Sequence, residues 1–460
     1  MENFWDYSVW GIFSVFAVLL GSLLVGYALQ KAIPFLRKSL IPTSVIGGLI
    51  LVIIAVVYKA ITGDVMFDTA FFGGNGTEQL EIITYHALAL GFIASTLKNT
   101  ESKLTKKRTS EIFNTGVTTV STYLIQGTLG FAVTLIAALV IPDFFKASGV
   151  LLALGYGQGT GQALNYGTIF ETEFGFVGGK SFGLTIAALG FLSASIGGVI
   201  YLNFMRRKGK LKVADKSIYK TMHKIDDANS SAPLSDSMDR MTVQISLIAI
   251  CYFITYLLMT LIGNLVPGFR SVIYGFNFLL GVIAAILVKN LLKYLKNKNI
   301  IKRDYTDNFL LTRAGNFCFD IMIVAGIAAI RLDILENYWG VIIILGVVGT
   351  IVTLIYNRFV AKKLFPDYYE EQFLMMYGML TGTASTGIIL LRQIDGEFKT
   401  PASDNMVYQN LPAICFGFPL MLLIPLAPVK PLLVIGIFVV YTIVLNFILF
   451  RSFIFKRKKK

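Results

Sequence analysis

Apolar residues occur along this chain in long, nearly unbroken runs that shorter polar segments separate. A helix needs roughly 20 mostly apolar residues to cross a bilayer. Eleven runs qualify, although the third is short; they lie at about 9–30, 43–62, 82–97, 112–140, 181–204, 242–265, 271–290, 309–330, 338–360, 404–428 and 430–454. The pattern predicts an all-α polytopic membrane protein with about eleven transmembrane helices.

The composition supports this interpretation. Of the 460 residues, 55% are hydrophobic and 15% are charged, against about 25% charged in an average soluble protein. This balance excludes a disordered chain, a fibrous repeat and almost any soluble globular fold. The three cysteines lie in apolar runs without disulfide or zinc spacing, and there are only two histidines. We therefore expect no cofactor held by these side chains.

The net charge of +14 is explained by topology. If the N-terminus is outside, most of the 41 lysines and arginines fall in cytoplasmic segments, as the positive-inside rule requires. We therefore predict an external N-terminus, a cytoplasmic C-terminus, contacts with anionic membrane lipid and no nucleic-acid partner. The first run follows Glu2 and Asp6 rather than a basic segment, which favours a retained helix over a cleaved signal peptide.

Two further segments, 148–167 and 371–391, start apolar and then become rich in glycine and small polar residues. Both are too short to cross twice. Non-helical backbone at membrane depth is tolerated where it lines a cavity or is buried in protein. We predict two re-entrant hairpins, the first opening from outside and the second from inside; a pair of ordinary surface loops is the alternative.

The two segments are related to each other. A Tyr-Gly pair precedes a Gly-Thr-small triplet in both, which gives Tyr156-Gly157 with Gly159-Thr160-Gly161, and Tyr377-Gly378 with Gly382-Thr383-Ala384. This predicts an inverted repeat of five plus five spans, the sequence signature of secondary transporters. The predicted parts are two halves (1–205 and 241–428), a cytoplasmic linker (206–240), and an extra helix with a basic tail (429–460).

The hairpins also resemble the glutamate:sodium symporter family. The resemblance rests on Gly155–Ala163 (GYGQGTGQA), Thr381–Gly387 (TGTASTG), Leu390–Asp395 (LLRQID) and Pro401-Ala402, and covers roughly residues 10–430. It implies sodium-coupled glutamate uptake across the bacterial inner membrane. It also implies a homodimer with a scaffold domain and a moving, elevator-type transport domain that carries both hairpins.

One departure leaves the substrate open. Family members carry a His-Gly-Thr stretch at the first hairpin, where this chain has Tyr156-Gly157-Gln158-Gly159-Thr160. The long linker and the basic tail are also additional. A carrier of another amino acid or of a di- or tricarboxylate, such as a citrate-type transporter, therefore remains the alternative. An intramembrane enzyme is disfavoured because His86 and Asp320 do not belong to a catalytic constellation such as a Ser–His pair or two aspartates, and a passive channel fits eleven unequal spans poorly.

Candidate ligands of an anionic amino acid follow from the hairpin backbone and its polar side chains. They are Gly159, Thr160, Gly161, Gln162, Asn165, Thr383, Ser385, Thr386 and Arg392. Arg392 suits a carboxylate or, equally, anchors the hairpin at the membrane surface. Asp395 is expected to pair with it. The interhelical contacts of Asn114 and Gln126 are expected to be structural.

Sodium, the expected coupling ion, prefers oxygen ligands. The candidates are Asn316, Asp320, Gly382, Thr383 and Asn405. Asn316 and Asp320 are four apart and share a helix face, and a carboxylate inside a span is a functional candidate because it is costly there. A pair between Asp320 and Arg313 is the structural alternative. Gln409, four residues after Asn405, is expected to be structural.

Overall fold

A computed structural model describes residues 3–98, 105–208, 238–301, 304–396 and 399–454. These residues form helices and connecting turns, with no strand among them. In chain order the α-helices are α1 (Tyr7–Ala32), α2 (Pro34–Ser39), α3 (Thr43–Thr62), α4 (Gly76–Leu97), α5 (Lys106–Val140), α6 (Leu151–Phe174), α7 (Gly179–Arg207), α8 (Arg240–Leu265), α9 (Arg270–Gly275), α10 (Asn277–Asn297), α11 (Asn308–Ala328), α12 (Trp339–Leu364), α13 (Tyr369–Thr381), α14 (Ala384–Leu391), α15 (Ala402–Tyr408), α16 (Asn410–Leu423), α17 (Pro431–Leu449) and α18 (Arg451–Ile454).

Ten helices of the described part of the chain are long and apolar enough to cross a membrane, and a bent helix pair brings the number to eleven. The ten are α1, α3, α4, α5, α7, α8, α10, α11, α12 and α17. The all-α polytopic membrane fold predicted from the sequence is therefore confirmed. Most of the predicted linker (residues 209–237) and the end of the basic tail (455–460) lie outside the described residues.

The eleventh candidate is the pair Ala402–Tyr408 and Asn410–Leu426, whose axes are inclined by 50°. Pro412 lies just after the bend and has no N–H to donate to the carbonyl four residues earlier. Helical bonding is regained at Ala413, whose N–H donates to the Gln409 carbonyl (2.9 Å). The apolar run at 404–428 is therefore a broken helix.

The predicted run 271–290 is also divided. The short α9 ends at Gly275, and α10 begins at Asn277 and continues to Asn297. The buried Asn277 side chain donates from Nδ2 to the Tyr85 carbonyl (2.9 Å). The span consequently begins about six residues later than the sequence pattern alone indicates, at a polar anchor inside an otherwise apolar stretch.

The chain divides into two compact units, each built from segments distant in sequence. The first contains the described residues of Met1–Leu80, Leu104–Ala214 and Val324–Lys460, and the second those of Glu81–Lys103 and Asp215–Ile323. This partition by contacts differs from a partition into sequence halves. The inverted repeat stays a prediction.

The second unit packs parts of α4, α8, α10 and α11 around one apolar cluster. Its buried members are Ile93, Ala94, Leu97, Ile248, Cys251, Ala285, Val288, Leu311 and Ala314. His86 belongs to this unit, and its Nδ1 lies 2.6 Å from the Tyr252 hydroxyl. That bond gives the exposed histidine a hydrogen-bond partner within its own unit.

In the first unit, the turn between α11 and α12 is fixed by charge. Asp333 accepts from Lys59 at the end of α3 (2.5 Å) and from Arg331 (2.9 Å). The backbone N–H of Arg331 donates to Ser181 near the start of α7 (3.1 Å). Burial raises the pKa of Asp333, but the hydrogen bonds and charges of Lys59 and Arg331 outweigh this effect and hold the pKa below its usual value.

Candidate functional site

The first hairpin is formed by α6 and the short 3₁₀ turn before it. Its helix breaks at Gly159, whose φ of 77° and ψ of −167° require glycine. The two ends of the segment come together again. The Phe145 ring lies 5.3 Å from the Phe170 ring and stacks on Phe176 at 4.5 Å. Residues 145–176 therefore enter and leave on the same side.

The second hairpin is formed by α13 and α14, which Gly382 and Thr383 join in non-helical conformation. Its two arms are in close contact because two glycines face each other. A Cβ placed on Gly378 would lie 2.8 Å from the Cα of Gly387, a separation that real side chains do not adopt. At the open end, Tyr369 and Ile394 pack against one common apolar cluster, so this segment also folds back on itself.

Helix α7 shows how the two hairpins are arranged in the first unit. Near its N-terminus, Phe182 packs against Phe176 at the base of the first hairpin (5.5 Å between ring centroids). Near its C-terminus, Tyr201 packs against Phe373 in the first arm of the second hairpin (4.6 Å). The bases of the hairpins therefore lie at opposite ends of α7, and both tips point towards its middle.

The tips meet beside Phe191, halfway along α7. A Cβ placed on Gly159 would lie 3.3 Å from Cγ2 of Thr383, 3.7 Å from the Gly382 carbonyl oxygen and 3.9 Å from the Phe191 ring. One placed on Gly190 would lie 2.4 Å from the Thr381 carbonyl oxygen. The absence of side chains at these positions lets the two breaks approach each other and α7.

The tyrosines of the two Tyr-Gly pairs are joined by hydrogen bonds. Tyr156 donates to the Gly346 carbonyl (2.7 Å) and lies 3.3 Å from the Thr350 hydroxyl. Thr350 is bonded to the Ser193 hydroxyl (2.6 Å), and Tyr377 donates to the Ser193 carbonyl (3.0 Å). This network connects both hairpins with α7 and α12.

Several buried polar atoms near the tips have no hydrogen-bond partner. Gln162 is 1% exposed, and neither its amide nitrogen nor its amide oxygen is bonded. The hydroxyls of Thr383 and Thr386 are also unpartnered, as is the amide nitrogen of Gln158. An unsatisfied buried group costs about 1–3 kcal/mol. Five such atoms on the two hairpins, beside the breaks, indicate a binding site for a polar ligand.

The backbone favours a negatively charged ligand at the same point. The second arm of the first hairpin and α14 both begin at the breaks. The first N–H groups of a helix have no partner within the helix. They carry the positive end of its dipole, equivalent to roughly half an elementary charge. Two such helix N-termini therefore present donors suited to carboxylates.

The family model described as sodium/glutamate symporter matches residues 10–399 of the chain. This chain belongs to the sodium/glutamate symporter family. It is therefore a multi-pass membrane protein and a sodium-coupled transporter at the level of the family, which is one of carriers rather than enzymes. A comparison with curated proteins gives no match.

Most of the predicted ligands of this symporter lie around the two breaks. These are Gly159, Thr160, Gly161, Gln162, Gly382, Thr383, Ser385 and Thr386. Thr160 faces Gly326 in the last turns of α11, where a Cβ would lie 2.8 Å from that of Thr160. Asn165 is buried one turn beyond Gln162 in the second arm. Binding by these residues stays a prediction.

The structure does not bring Arg392 to the tips. It follows the last residue of α14, nine residues after Thr383 at the break, and is exposed. The geometry favours the alternative of a basic anchor at the base of the hairpin. Asp395 accepts from the Lys399 N–H (2.8 Å) and from the N–H and hydroxyl of Thr400 (2.9 and 2.6 Å). Those bonds give it a structural role in the loop.

Asn405 also lies away from the tips. It is fully buried, and its Nδ2 donates to the Tyr368 hydroxyl (2.9 Å) and to Oε1 of Gln372 (3.1 Å). Gln372 precedes Gly382 by ten residues, about 15 Å along a helix. Asn405 and Gly382 are therefore not ligands of one ion in this conformation, contrary to the grouping predicted from the sequence. Gln409 donates to Asn410 (3.1 Å), in agreement with a structural role.

Asn316 and Asp320 belong to the second unit and are exposed. The same helix continues into the first unit, where Gly326 meets Thr160. The predicted sodium role of both side chains remains a prediction. No group of three or more His, Cys, Asp or Glu that could hold a metal occurs within the described ranges.

Sequence reasoning missed three features of the site. Gln158 was part of the family motif but was not singled out as a ligand, although its amide nitrogen is buried without a partner. The signal was its position beside the breaking glycine. Phe191 and the Ser193–Thr350 link come from helices whose approach to the tips is a tertiary property, and no local pattern marks them.

Proposed function

We propose that this symporter carries glutamate, together with sodium ions, across the bacterial inner membrane into the cell. The meeting of the two hairpin tips around the unpartnered Gln162, Thr383 and Thr386 is the observation that carries the proposal. Membership of the sodium/glutamate symporter family supports sodium as the coupling ion and glutamate as the substrate.

The substrate carboxylates would accept from the backbone N–H groups at the starts of the second arm of α6 and of α14. Gln162 would donate from its amide nitrogen, and the hydroxyls of Thr383 and Thr386 would complete the donor set. These side-chain atoms are already buried and free of partners. Folding has already removed these groups from water. Ligand binding would therefore give them hydrogen bonds without a further cost of desolvating them.

Sodium ions would use oxygen atoms of the same region. The Gly382 carbonyl and the Thr383 hydroxyl lie at the non-helical tip, where carbonyls are released from helical bonding. Asn316 and Asp320, which are exposed in the second unit, are proposed as sodium ligands within that unit because an aspartate within a span is otherwise unfavourable. The chain is proposed to have its N-terminus outside and its C-terminus in the cytoplasm.

Alternating access would follow if the hairpins move together with α7. The Tyr156–Thr350–Ser193–Tyr377 network and the close packing at Gly190 join these elements. We propose an elevator-type movement of this body within a homodimer. The hairpins are based at opposite ends of α7, as an inverted repeat requires. In such a repeat, the contacts that one half makes in the outward conformation would be made by the other half in the inward conformation.

The test is uptake of labelled L-glutamate into proteoliposomes that contain the purified protein. An inward sodium gradient is compared with an equal potassium gradient, and unlabelled glutamate, aspartate, malate, citrate and neutral amino acids serve as competitors. We expect uptake that requires sodium, is blocked by glutamate and falls strongly in Thr383→Ala and Asp320→Asn. Thr255→Val is the control, because the Thr255 hydroxyl donates to its own helix at the Cys251 carbonyl (2.8 Å).

Each outcome has a distinct consequence. Sodium-dependent uptake that survives Thr383→Ala and Asp320→Asn would support the proposed function and contradict the proposed binding role of these two residues. Uptake that citrate or malate blocks better than glutamate would replace the substrate with a di- or tricarboxylate. Sodium-independent flux would contradict symport.

A further inference from the structure

A shallow cavity of about 450 Å³, wide open to the surface, lies between the start of α5 and the residues that follow α17. It is lined by Lys106, Thr109, Ser110, Phe113 and Arg451. The lining combines two cationic groups, two hydroxyls and one aromatic wall. None of these residues belongs to the hairpin site, so the cavity needs an explanation of its own.

Arg451 is held in place by contacts that leave its charge uncompensated. Its Nη1 donates to Oδ1 of Asn114 (3.1 Å) and to the Ile448 carbonyl (2.8 Å). The guanidinium lies over the Phe113 ring at 5.0 Å from the centroid. All three partners are neutral. The arginine is therefore oriented towards the cavity wall without an anionic partner among the described residues.

The carboxylates near the start of α5 pair with other cations. Arg108 contacts Glu111 (2.6 Å), and Lys107 contacts Asp367 (2.9 Å). Within the described ranges, no carboxylate oxygen lies within 4.0 Å of the Lys106 ammonium or of the Arg451 guanidinium. Two positive charges therefore share one cavity, and no carboxylate of the described residues is paired with either of them.

The position of the cavity is that of a lipid headgroup. The candidate span of α17 ends at Leu449, two residues before Arg451, and the span of α5 begins at Lys106. Phe113 and Lys106 are seven residues apart, about 11 Å along a helix. This distance is longer than one polar interfacial layer of a bilayer, which is roughly 5–8 Å deep. The cavity thus extends from the hydrocarbon boundary into the headgroup region.

We propose that this cavity binds the phosphodiester headgroup of an anionic phospholipid. The phosphate would accept from Arg451 and Lys106, and the hydroxyls of Thr109 and Ser110 would donate to the remaining headgroup oxygens. The Phe113 ring would contact the glycerol and the upper acyl carbons. Basic cavities between transmembrane helices recognise such lipids.

Binding of fluorescent phosphatidylglycerol to the detergent-purified full chain tests the proposal, with fluorescent phosphatidylcholine as the zwitterionic comparison. We expect phosphatidylglycerol to bind more tightly, and Lys106→Gln and Arg451→Gln each to weaken its binding about fivefold. Arg451→Lys should retain most of the affinity. Lys362→Gln is the matched control, because Lys362 is an exposed lysine near the end of α12 and should change binding less than twofold.

Three results would overturn the proposal. The first is equal binding of both lipids to the wild type. The second is unchanged phosphatidylglycerol affinity in Lys106→Gln, an exposed position whose substitution should not disturb folding even where Arg451→Gln does. The third is full displacement of the lipid by millimolar inorganic phosphate at constant ionic strength, which would identify a site for a free anion.

Discussion

Replacing Gln162 with methionine removes both amide atoms while it keeps the length and approximate shape of the side chain. Neither atom has a hydrogen-bond partner among the described residues. The substitution should therefore leave the free energy of unfolding unchanged within about 0.5 kcal/mol, or raise it, because an unsatisfied buried group is lost.

Gln126→Met is the matched control. Gln126 is fully buried, and its Nε2 donates to the Thr353 hydroxyl (2.7 Å) and to the Leu380 carbonyl (2.9 Å). Loss of these bonds should cost about 1–3 kcal/mol, which corresponds to a melting temperature lower by about 2 °C per kcal/mol. The two substitutions have the same chemistry and opposite expected effects on the ligand-free protein.

Glutamate binding should be weakened more by Gln162→Met than by Gln126→Met. A hydrogen bond to a charged ligand contributes about 1.5–3 kcal/mol. Gln162→Met should therefore weaken glutamate binding about ten- to a hundredfold, and the thermal shift that saturating sodium and glutamate produce in the wild type should shrink. The reasoning is refuted if Gln162→Met lowers the ligand-free melting temperature as much as Gln126→Met and leaves the ligand-induced shift intact.

Three further perturbations test separate parts of the structure. Gly159→Ala should abolish most uptake while the protein still folds. Its positive φ with an extended ψ is essentially confined to glycine and costs an alanine about 1–3 kcal/mol, and the new Cβ would press on Thr383. Gly436→Ala, whose Cβ would have no atom within 4 Å, should transport normally. Tyr377→Phe should lower the free energy of unfolding by about 1 kcal/mol through loss of its bond to Ser193, and normal stability would contradict the network. Asp333→Asn should remove a stability contribution that the wild type keeps at neutral pH. The wild type loses this contribution as the pH falls through the lowered pKa of Asp333, so its melting temperature should fall more between pH 6 and pH 3 than that of the variant. An equal fall in both proteins would contradict this role of Asp333.

The spans and the hairpin breaks were predictable because their causes are local. Twenty apolar residues in a row have few other stable environments than a bilayer, and a glycine at Gly159 among small polar residues disfavours a continuous helix. The same reasoning explains the error at 271–290. Apolarity alone does not mark where Asn277 binds the Tyr85 carbonyl and starts a new helix.

Which residues belong to the candidate site was less predictable, because this depends on what each side chain contacts. Asn405 and Gln162 are both buried amides next to hairpins, yet Asn405 donates twice to neighbours while Gln162 bonds to none. Arg392 lies within the family motif Leu390–Asp395, but the length of α14 places it at the base of the hairpin. Burial and partner choice arise from tertiary packing, which one sequence does not encode locally.

The central claim is that unpartnered polar groups at the hairpin tips bind the substrate. Its most direct test is equilibrium binding of labelled L-glutamate to the purified protein in sodium and in potassium. The comparison uses the wild type, Thr386→Val and the equally buried control Thr255→Val. The account predicts sodium-dependent binding that Thr386→Val weakens at least tenfold and Thr255→Val leaves unchanged, with similar melting temperatures. Wild-type affinity in Thr386→Val and Gln162→Met alike would contradict it.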